Sequence, residues 1–179
     1  LDDSLLDTDA FAVLKGKTGG RLDQLRKIAS GDPVTDKTVG ATVVLCTLED
    51  AAGLVHVRRI LTDGRKGQRK RLLDMMNFAS EAVENVSADE SLRTLLLGQL
   101  DDADPEVVRE AVQVCGRYNV PGAATKLSAM LPSSTGPATE RVCYWLSRLD
   151  PQPAHVEALL KLMEVDDGTD DKGWGTRSL

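Results

Sequence analysis

The stretch of sequence that decides the fold is residues 95–116, which reads LLLGQLDDADPEVVREAVQVCG. Leucines at three- and four-residue steps, running to Leu100, predict a helix that ends in the aspartate-rich segment after it. Asp104 followed by Pro105 predicts the start of a second helix. An aspartate accepts hydrogen bonds from the free N–H groups of a first turn, and a proline at the next position lacks only a donor that would have had no partner.

Further signals mark the outer ends of this helical hairpin. Ser87 and Glu90 have the spacing of a capping box, which predicts that the first helix begins beside them. The second helix has an apolar stripe made by Val108, Ala111, Val112 and Cys115. Gly116 and the segment 119–122, which reads NVPG, predict its end. Residues 88–122 therefore predict one helix–turn–helix unit.

The same frame recurs along the chain. A proline or glycine is followed four residues later by a cation at Pro33/Lys37, Gly67/Arg71, Pro105/Arg109 and Pro137/Arg141, with spacings of 34, 38 and 32 residues. Such spacings are typical of a supersecondary unit that buries its apolar face by stacking on copies of itself. We predict an all-α solenoid over residues 1–167, with helix pairs at approximately 20–53, 54–87, 88–122 and 123–150, a terminal helix at 154–165, and a tail or linker at 168–179.

Two of the other units have their own boundary signals. Asp32 and Pro33 copy the Asp104–Pro105 pair, so they predict the start of the second helix of the first unit. In the second unit, 64–67 is expected to form the turn. A single second helix is expected to follow, with a stripe made by Leu72, Met76, Ala79 and Val83.

Residues 95–116 resemble the HEAT-repeat family, and in particular the short bacterial-type repeats similar to those of phycobilisome lyases. The resemblance lies in the leucines, the aspartates, Val108–Arg109, Ala111 and the closing Gly116. It extends over about residues 20–165, and it is weakest in the second unit. It implies an all-helical α-α superhelix whose second helices line a concave side, usually a surface for a protein partner. It does not identify that partner, since this fold carries several functions.

Composition agrees with helical packing in a reducing compartment. Aromatic residues make up only 3% of the chain, so the core must be built from aliphatic side chains. Cys46, Cys115 and Cys143 each lie in an apolar helical stretch, and an odd number of widely spaced cysteines argues against a disulfide framework. These features predict a cytoplasmic protein with small buried thiols. No apolar run in the sequence is long enough to span a membrane.

Catalytic and metal-binding patterns are weak. Gly16-Lys17-Thr18 matches the last three residues of the phosphate-binding loop pattern, but Phe11 occupies the position where that pattern requires its first glycine. His56 and His155 lack cysteine or carboxylate neighbours at ligand spacing, so we interpret both as surface histidines. We predict no catalytic residue, no metal site and no cofactor.

The cations of the repeated frame have two interpretations. Lys37, Arg71, Arg109 and Arg141 could form a ladder for an anionic ligand along the concave side. We favour a structural role in which each cation pairs with a loop aspartate such as Asp102 or Asp104, because the arginine fork suits carboxylates. The aromatic pair Tyr144–Trp145 is also interpreted structurally, with Trp145 packed between repeats.

One charge cluster is not explained by the repeat pattern. Seven cations face a single acid between residues 56 and 71, which gives this stretch a charge of +6 and leaves −12 for the rest of the chain. These candidate partner-binding residues are Arg58, Arg59, Arg65, Lys66, Arg69, Lys70 and Arg71. We expect them to cluster around one loop between two helices, either as a solvated turn or as a docking site for an anionic partner.

These observations predict a non-catalytic protein–protein interaction scaffold with a protein partner, possibly an acidic one. The first alternative is a nucleic-acid-binding HEAT protein, resembling DNA glycosylases of this fold, that uses the basic loop 58–71. The acidic balance outside that loop disfavours it. The second alternative is a chromophore lyase of the phycobilisome-lyase type, for which no convergent set of histidine, tyrosine and cysteine is present in the sequence.

Overall fold

A computed structural model of the chain describes residues 21–133 and 137–165, and it is helical over almost all of them. No strand occurs in these two ranges, so the predicted all-α class is confirmed. The expectations for Gly16-Lys17-Thr18 and for the tail 168–179 concern residues outside them. The helices are α1 (Arg21–Ala29), α2 (Asp36–Thr47), α3 (Ala51–Asp63), α4 (Lys66–Met76), α5 (Ser80–Ala88), α6 (Glu90–Gly98), α7 (Pro105–Arg117), α8 (Ala123–Met130), α9 (Pro137–Leu149) and α10 (Pro153–Val165).

The chain divides into two compact units, Leu1–Leu96 and Leu97–Leu179. Short 3-10 turns at Gln99–Asp101 and Leu131–Ser133 extend α6 and α8. None of the described helices combines the length and the apolar character needed to cross a bilayer.

Helix α2 is the centre of the first unit. It packs against α1, α3, α4 and α5. Its residues 38–43 and 45–47 are buried, which leaves no polar face. A helix that is buried on all sides must satisfy its polar side chains internally. The hydroxyl of Thr42 donates to the Thr38 carbonyl at 2.8 Å and that of Thr47 to the Val43 carbonyl at 3.1 Å.

A carboxylate joins α1 to α3. Asp50 is the N-cap of α3 and accepts from the Ala52 N–H at 3.0 Å. Its side chain is only 9% exposed, and Arg26 of α1 donates to it from Nη2 at 2.6 Å. The hydrogen bond from Arg26 is the main reason that the pKa of Asp50 lies below its usual value, and the Ala52 N–H adds to the effect. One residue therefore both starts α3 and attaches α1 to it.

The second unit is built around α7 and α9, which pack against each other. Helix α8 contacts both, α10 packs on α9, and the Gln99–Asp101 turn packs on α7. The predicted cap of α7 is confirmed: the side chain of Asp104 accepts from the Glu106 N–H at 2.9 Å, and Pro105 is the first helical residue. The helix starts predicted near Pro137 and near residue 154 also agree with α9 and α10.

Two helix starts were predicted wrongly. Helix α2 does not begin at Asp32–Pro33, which is joined by a cis peptide bond, but at Asp36 after the N-cap Thr35. The Thr35 and Thr38 side chains accept from each other's N–H, at 3.3 and 3.2 Å, so a threonine pair and not a proline marks this start. The segment 64–67 does not form the predicted turn over its whole length either, because α4 already begins at Lys66.

The capping box predicted at Ser87 is also wrong. Ser87 lies inside α5, and its hydroxyl donates back to the Val83 carbonyl at 2.7 Å. The cap of α6 is Asp89, whose side chain accepts from the Leu92 N–H at 3.0 Å. Asp89 takes the role because it lies directly before Glu90, the first residue of α6, whereas Ser87 is still part of α5.

The single second helix predicted to carry the stripe from Leu72 to Val83 is two helices. Helix α4 ends at Met76, and α5 begins at Ser80. Ala79 has a non-helical backbone (φ −133°, ψ 78°), which separates the two helices. Helices α4 and α5 both pack on α2. The break between them therefore allows residues 66–88 to stay in contact with this central helix.

Candidate binding surface

The basic cluster lies where α3 ends and α4 begins. Arg58 and Arg59 are on α3, Arg65 is the N-cap of α4, and the other four cations are on α4. The side chains of Arg58, Arg65, Lys66 and Arg71 are exposed, and those of Arg59, Arg69 and Lys70 are half-buried. The structure therefore brings these residues to one inter-helix turn, although their side chains reach different neighbours.

Arg58 and Arg59 extend to opposite ends of the first unit. Arg58 donates to the Ser91 hydroxyl, and its Nη2 lies 3.8 Å from the Asp89 carboxylate beside the start of α6. Arg59 donates from Nη2 to the carbonyls of Ala29 and Gly31, at 3.1 and 3.2 Å. Arg59 thus stabilises the C-terminus of α1, where cations are favoured by the helix dipole.

The turn itself is held by polar contacts to its backbone. The guanidinium of Arg69 donates to the carbonyl of Gly64, the C-cap residue of α3. The N–H of Arg65 donates to Gln68 Oε1 at 2.8 Å, and Gln68 Nε2 donates to the Val34 carbonyl at 2.9 Å. These contacts fix the path of the turn and tie it to the segment between α1 and α2.

We call Arg65, Lys66 and Lys70 the basic turn; the first two side chains are exposed and that of Lys70 is half-buried. They surround the N-terminus of α4, whose first turn contains no acidic residue. The last turn of α3 contains no cation, so these charges do not stabilise the C-terminus of α3 through its dipole. Cations at a helix N-terminus oppose its dipole. Helix capping therefore does not account for the basic turn.

The cations of the repeated frame do not share one environment. Lys37 is exposed, whereas Arg141 is only 8% exposed. Arg71 pairs with Asp74 at 2.7 Å and Arg109 with Glu110 at 2.8 Å. The predicted pairing with a loop aspartate is therefore wrong for Arg71 and Arg109, which each pair with an acid of their own helix.

One of the two histidines is buried and the other is half-buried. His155 is 5% exposed, with Nδ1 2.7 Å from the Asp150 carbonyl and Nε2 3.4 Å from the Ser128 hydroxyl, so its interpretation as a surface residue is wrong. His56 is half-buried, and burial, reinforced by Arg59, lowers its pKa. No three potential metal-ligating side chains converge within residues 21–133 and 137–165.

All three cysteines are buried free thiols, as predicted. Burial raises the pKa of Cys46 and of Cys115 to about 12. A thiol with such a pKa is almost entirely protonated near neutral pH, and the thiolate is the nucleophilic form. Cys46 and Cys115 therefore act as small apolar side chains of the core.

Apart from Tyr144, the residues around Trp145 were not grouped by any sequence pattern. Trp145 is a residue of α9, and its side chain packs against α7. Its Nε1 donates to Gln113 Oε1 at 3.2 Å, and its ring covers Gly116. Its ring also meets that of Tyr144 edge to face, with centroids 4.8 Å apart. The interpretation of Trp145 as a packed residue agrees with these contacts. The sequence signal for these contacts is Gly116, a small residue in α7 that leaves room for the large Trp145 side chain of α9.

Comparisons with protein-family models, curated proteins and solved structures return no match to this chain. The resemblance to HEAT repeats therefore stays a prediction.

Proposed function

We propose that this chain is a non-catalytic interaction scaffold built from HEAT-like helix pairs, and that its basic turn docks an acidic protein partner. The order of packing within each unit supports a repeat architecture. In the first unit α2 contacts its own pair helix α1, the following helix α3, and the second helix of the next pair, formed by α4 and α5. In the second unit α7 contacts the following helix α8 and the second helix of the next pair, α9, and the Gln99–Asp101 turn packs on α7.

The observation that carries the docking proposal is the concentration of positive charge at the α4 N-terminus. Lys66 and Arg65 are exposed, and Gly67 beside them leaves the helix surface open, since a Cβ placed there would meet nothing within 4 Å. The positive end of the helix dipole adds to these charges. An anionic group that approaches this turn interacts favourably with the dipole and the cations together.

A protein partner is favoured over nucleic acid by the distribution of charge. A nucleic acid carries one negative charge at each nucleotide, so it needs cations along an extended path. Here the basic residues are confined to one turn, and the rest of the chain carries −12. An acidic loop or helix end of a protein needs only a local patch.

The experiment compares a variant in which Arg65, Lys66 and Lys70 are changed to glutamate with the wild type. Arg69 is left unchanged because it bonds to the Gly64 carbonyl. Binding of labelled poly-L-glutamate is measured by fluorescence anisotropy at about 50 and 300 mM salt, because exposed charges are screened over this range. We expect salt-dependent binding by the wild type and its loss in the variant.

Controls separate binding from folding. Glutamate at position 66 lies in the first turn of α4, where it is favoured by the helix dipole, so the variant should be at least as stable as the wild type. A matched variant that changes Arg21 and Lys27, both exposed on α1, should retain binding. Retention of poly-L-glutamate by the basic-turn variant would contradict the proposal. Preferential binding of a single-stranded DNA that the same variant loses would favour the nucleic-acid alternative.

A further inference from the structure

Helix α1 leaves most of its surface uncovered. Ala29 is its only buried residue, although the helix packs against α2 and α3. Leu22 and Leu25 contact the buried core of the first unit but remain half-buried, and the side chain of Ile28 is 45% exposed. Leu22, Leu25 and Ile28 follow one another at three-residue steps, so they form a row along one side of the helix. We call these three residues the α1 row.

The sequence directly before α1 has the pattern of an amphipathic helix. Its apolar residues have the spacing of one helix face and are Leu6, Ala10, Val13 and Leu14. Ser4 and Asp7 have the spacing of a capping box, which predicts a helix start. Lys15 followed by Gly16 is typical of a helix end. The sequence therefore predicts a helix over residues 5–15, which precede the described residues.

The connection between this segment and α1 favours an antiparallel pair. Residues 16–20 read GKTGG, and helices joined by about 2–8 residues are usually antiparallel neighbours. Residues at equal distances from such a connection lie at the same level of the two helices. Leu14 is then level with Leu22, and Ala10 and Leu6 are level with Leu25 and Ile28 to within about one helical turn. The apolar face of the segment thus matches the α1 row in length and position.

The charges of the two segments are also complementary. Residues 2–9 contain four aspartates and no cation, whereas α1 contains three cations and one acid. Arg21 and Lys27, which adjoin the α1 row in sequence, are exposed. Opposite charges at the rim of an apolar contact favour the correct partner over others. An apolar helix face with acidic residues beside it is therefore a suitable occupant of the α1 row.

We propose that residues 5–15 pack as an antiparallel helix on the α1 row and cover this side of the first unit. A stack of helix pairs needs a terminal element with a polar outer side, and this segment supplies one. The short connection to α1 gives the segment a high effective concentration at the row, which favours it over the same segment of a second copy. This proposal does not depend on the basic turn.

Hydrogen exchange of the full chain, followed by mass spectrometry, tests whether the segment is packed. A lone helix of about eleven residues is marginal in water, so slow exchange over residues 5–15 requires packing on the rest of the protein. We expect exchange about tenfold or more slower than in the same segment as a free peptide, and loss of this protection in Ile28→Asp and in the milder Ile28→Ser. Exchange at the free-peptide rate, or protection that survives both substitutions, would overturn the proposal. Protection that rises with protein concentration would assign the cover to a second copy and would overturn it as well.

A double-mutant cycle measured by urea denaturation tests the contact itself. Leu6→Asp and Ile28→Asp should each lower the equilibrium constant for folding by about tenfold, because each places a charge in an apolar contact. If the two side chains meet, the double variant loses less than the product of the two single losses. Leu5→Asp, off the apolar face, and Val55→Asp, at a 63% exposed position of α3, are matched controls and should each change the constant by less than about threefold. Losses that simply multiply in the double variant would overturn the proposal.

Discussion

Gly116 of α7 lies directly beneath the indole ring of Trp145 of α9. A Cβ added to Gly116 would be 2.2 Å from Cγ of that ring, far inside van der Waals contact. The ring cannot simply move away, because its Nε1 is hydrogen-bonded to Gln113. The absence of a side chain at residue 116 is therefore what lets α7 and α9 pack at this point.

Gly116→Ala should lower the free energy of unfolding by about 1–3 kcal/mol, the usual cost of overpacking a core. Urea denaturation measures the change. Gly67→Ala is the matched control: its Cβ would meet nothing within 4 Å, so it should be neutral or stabilise α4 by about 0.5 kcal/mol. Equal effects of the two substitutions would contradict the packing described here.

The cap of α7 gives a second prediction. Asp104→Ala should lower the free energy of unfolding by about 0.5–2 kcal/mol, because the Glu106 N–H loses its acceptor. Asp104→Asn keeps an acceptor oxygen and should cost much less. Thermal and urea unfolding of both variants measure the difference, and a loss of the same size in each would mean that charge and not capping is responsible.

The Asp50–Arg26 contact predicts a pH dependence. The pKa of Asp50 is lower in the folded protein than in the unfolded chain, so its ionised form stabilises the fold. This stabilisation is present above the unfolded pKa, near 4, and is lost as the pH falls through the lower, folded value. Asp50→Asn should therefore be less stable than the wild type at pH 7, and the difference should shrink on acidification. A difference that is constant with pH would contradict the pairing.

The cysteines give a fourth prediction. With a pKa of about 12, Cys46 and Cys115 have about one thiolate in ten thousand molecules at pH 8. Cys143 is also fully buried. The folded protein should therefore show no rapid reaction with a disulfide reagent such as DTNB, and all three thiols should react once guanidinium chloride has unfolded it. A thiol in the folded protein that reacts as fast as free cysteine would contradict the burial.

The helix start at Asp104–Pro105 was predicted correctly because its physical cause is local. The Asp104–Pro105 helix start depends on a side chain and a backbone N–H two residues apart, so sequence alone can specify it. The same pair of residue types at Asp32–Pro33 does not start a helix, because Thr35 and Thr38 form a reciprocal cap just after it. Two competing local signals of similar strength cannot be ranked without the packing around them.

The break between α4 and α5 could not be predicted from periodicity. The stripe through Leu72, Met76, Ala79 and Val83 keeps three- and four-residue steps across the break, and all four side chains are buried. The segment bends because both of its halves pack on α2, which is buried on every side. A pattern of burial records which residues face the core but not whether the backbone between them is continuous.

The sequence by itself determined the helical class, the cap at Asp104, the burial of the three cysteines and the concentration of cations between residues 58 and 71. Each depends on composition or on neighbours within one or two turns. Only the tertiary structure decided that Arg59 supports α1, that Arg58 reaches Asp89, and that Trp145 lies on Gly116. These contacts join residues about thirty positions apart, and their formation depends on how whole helices pack, which no local pattern specifies.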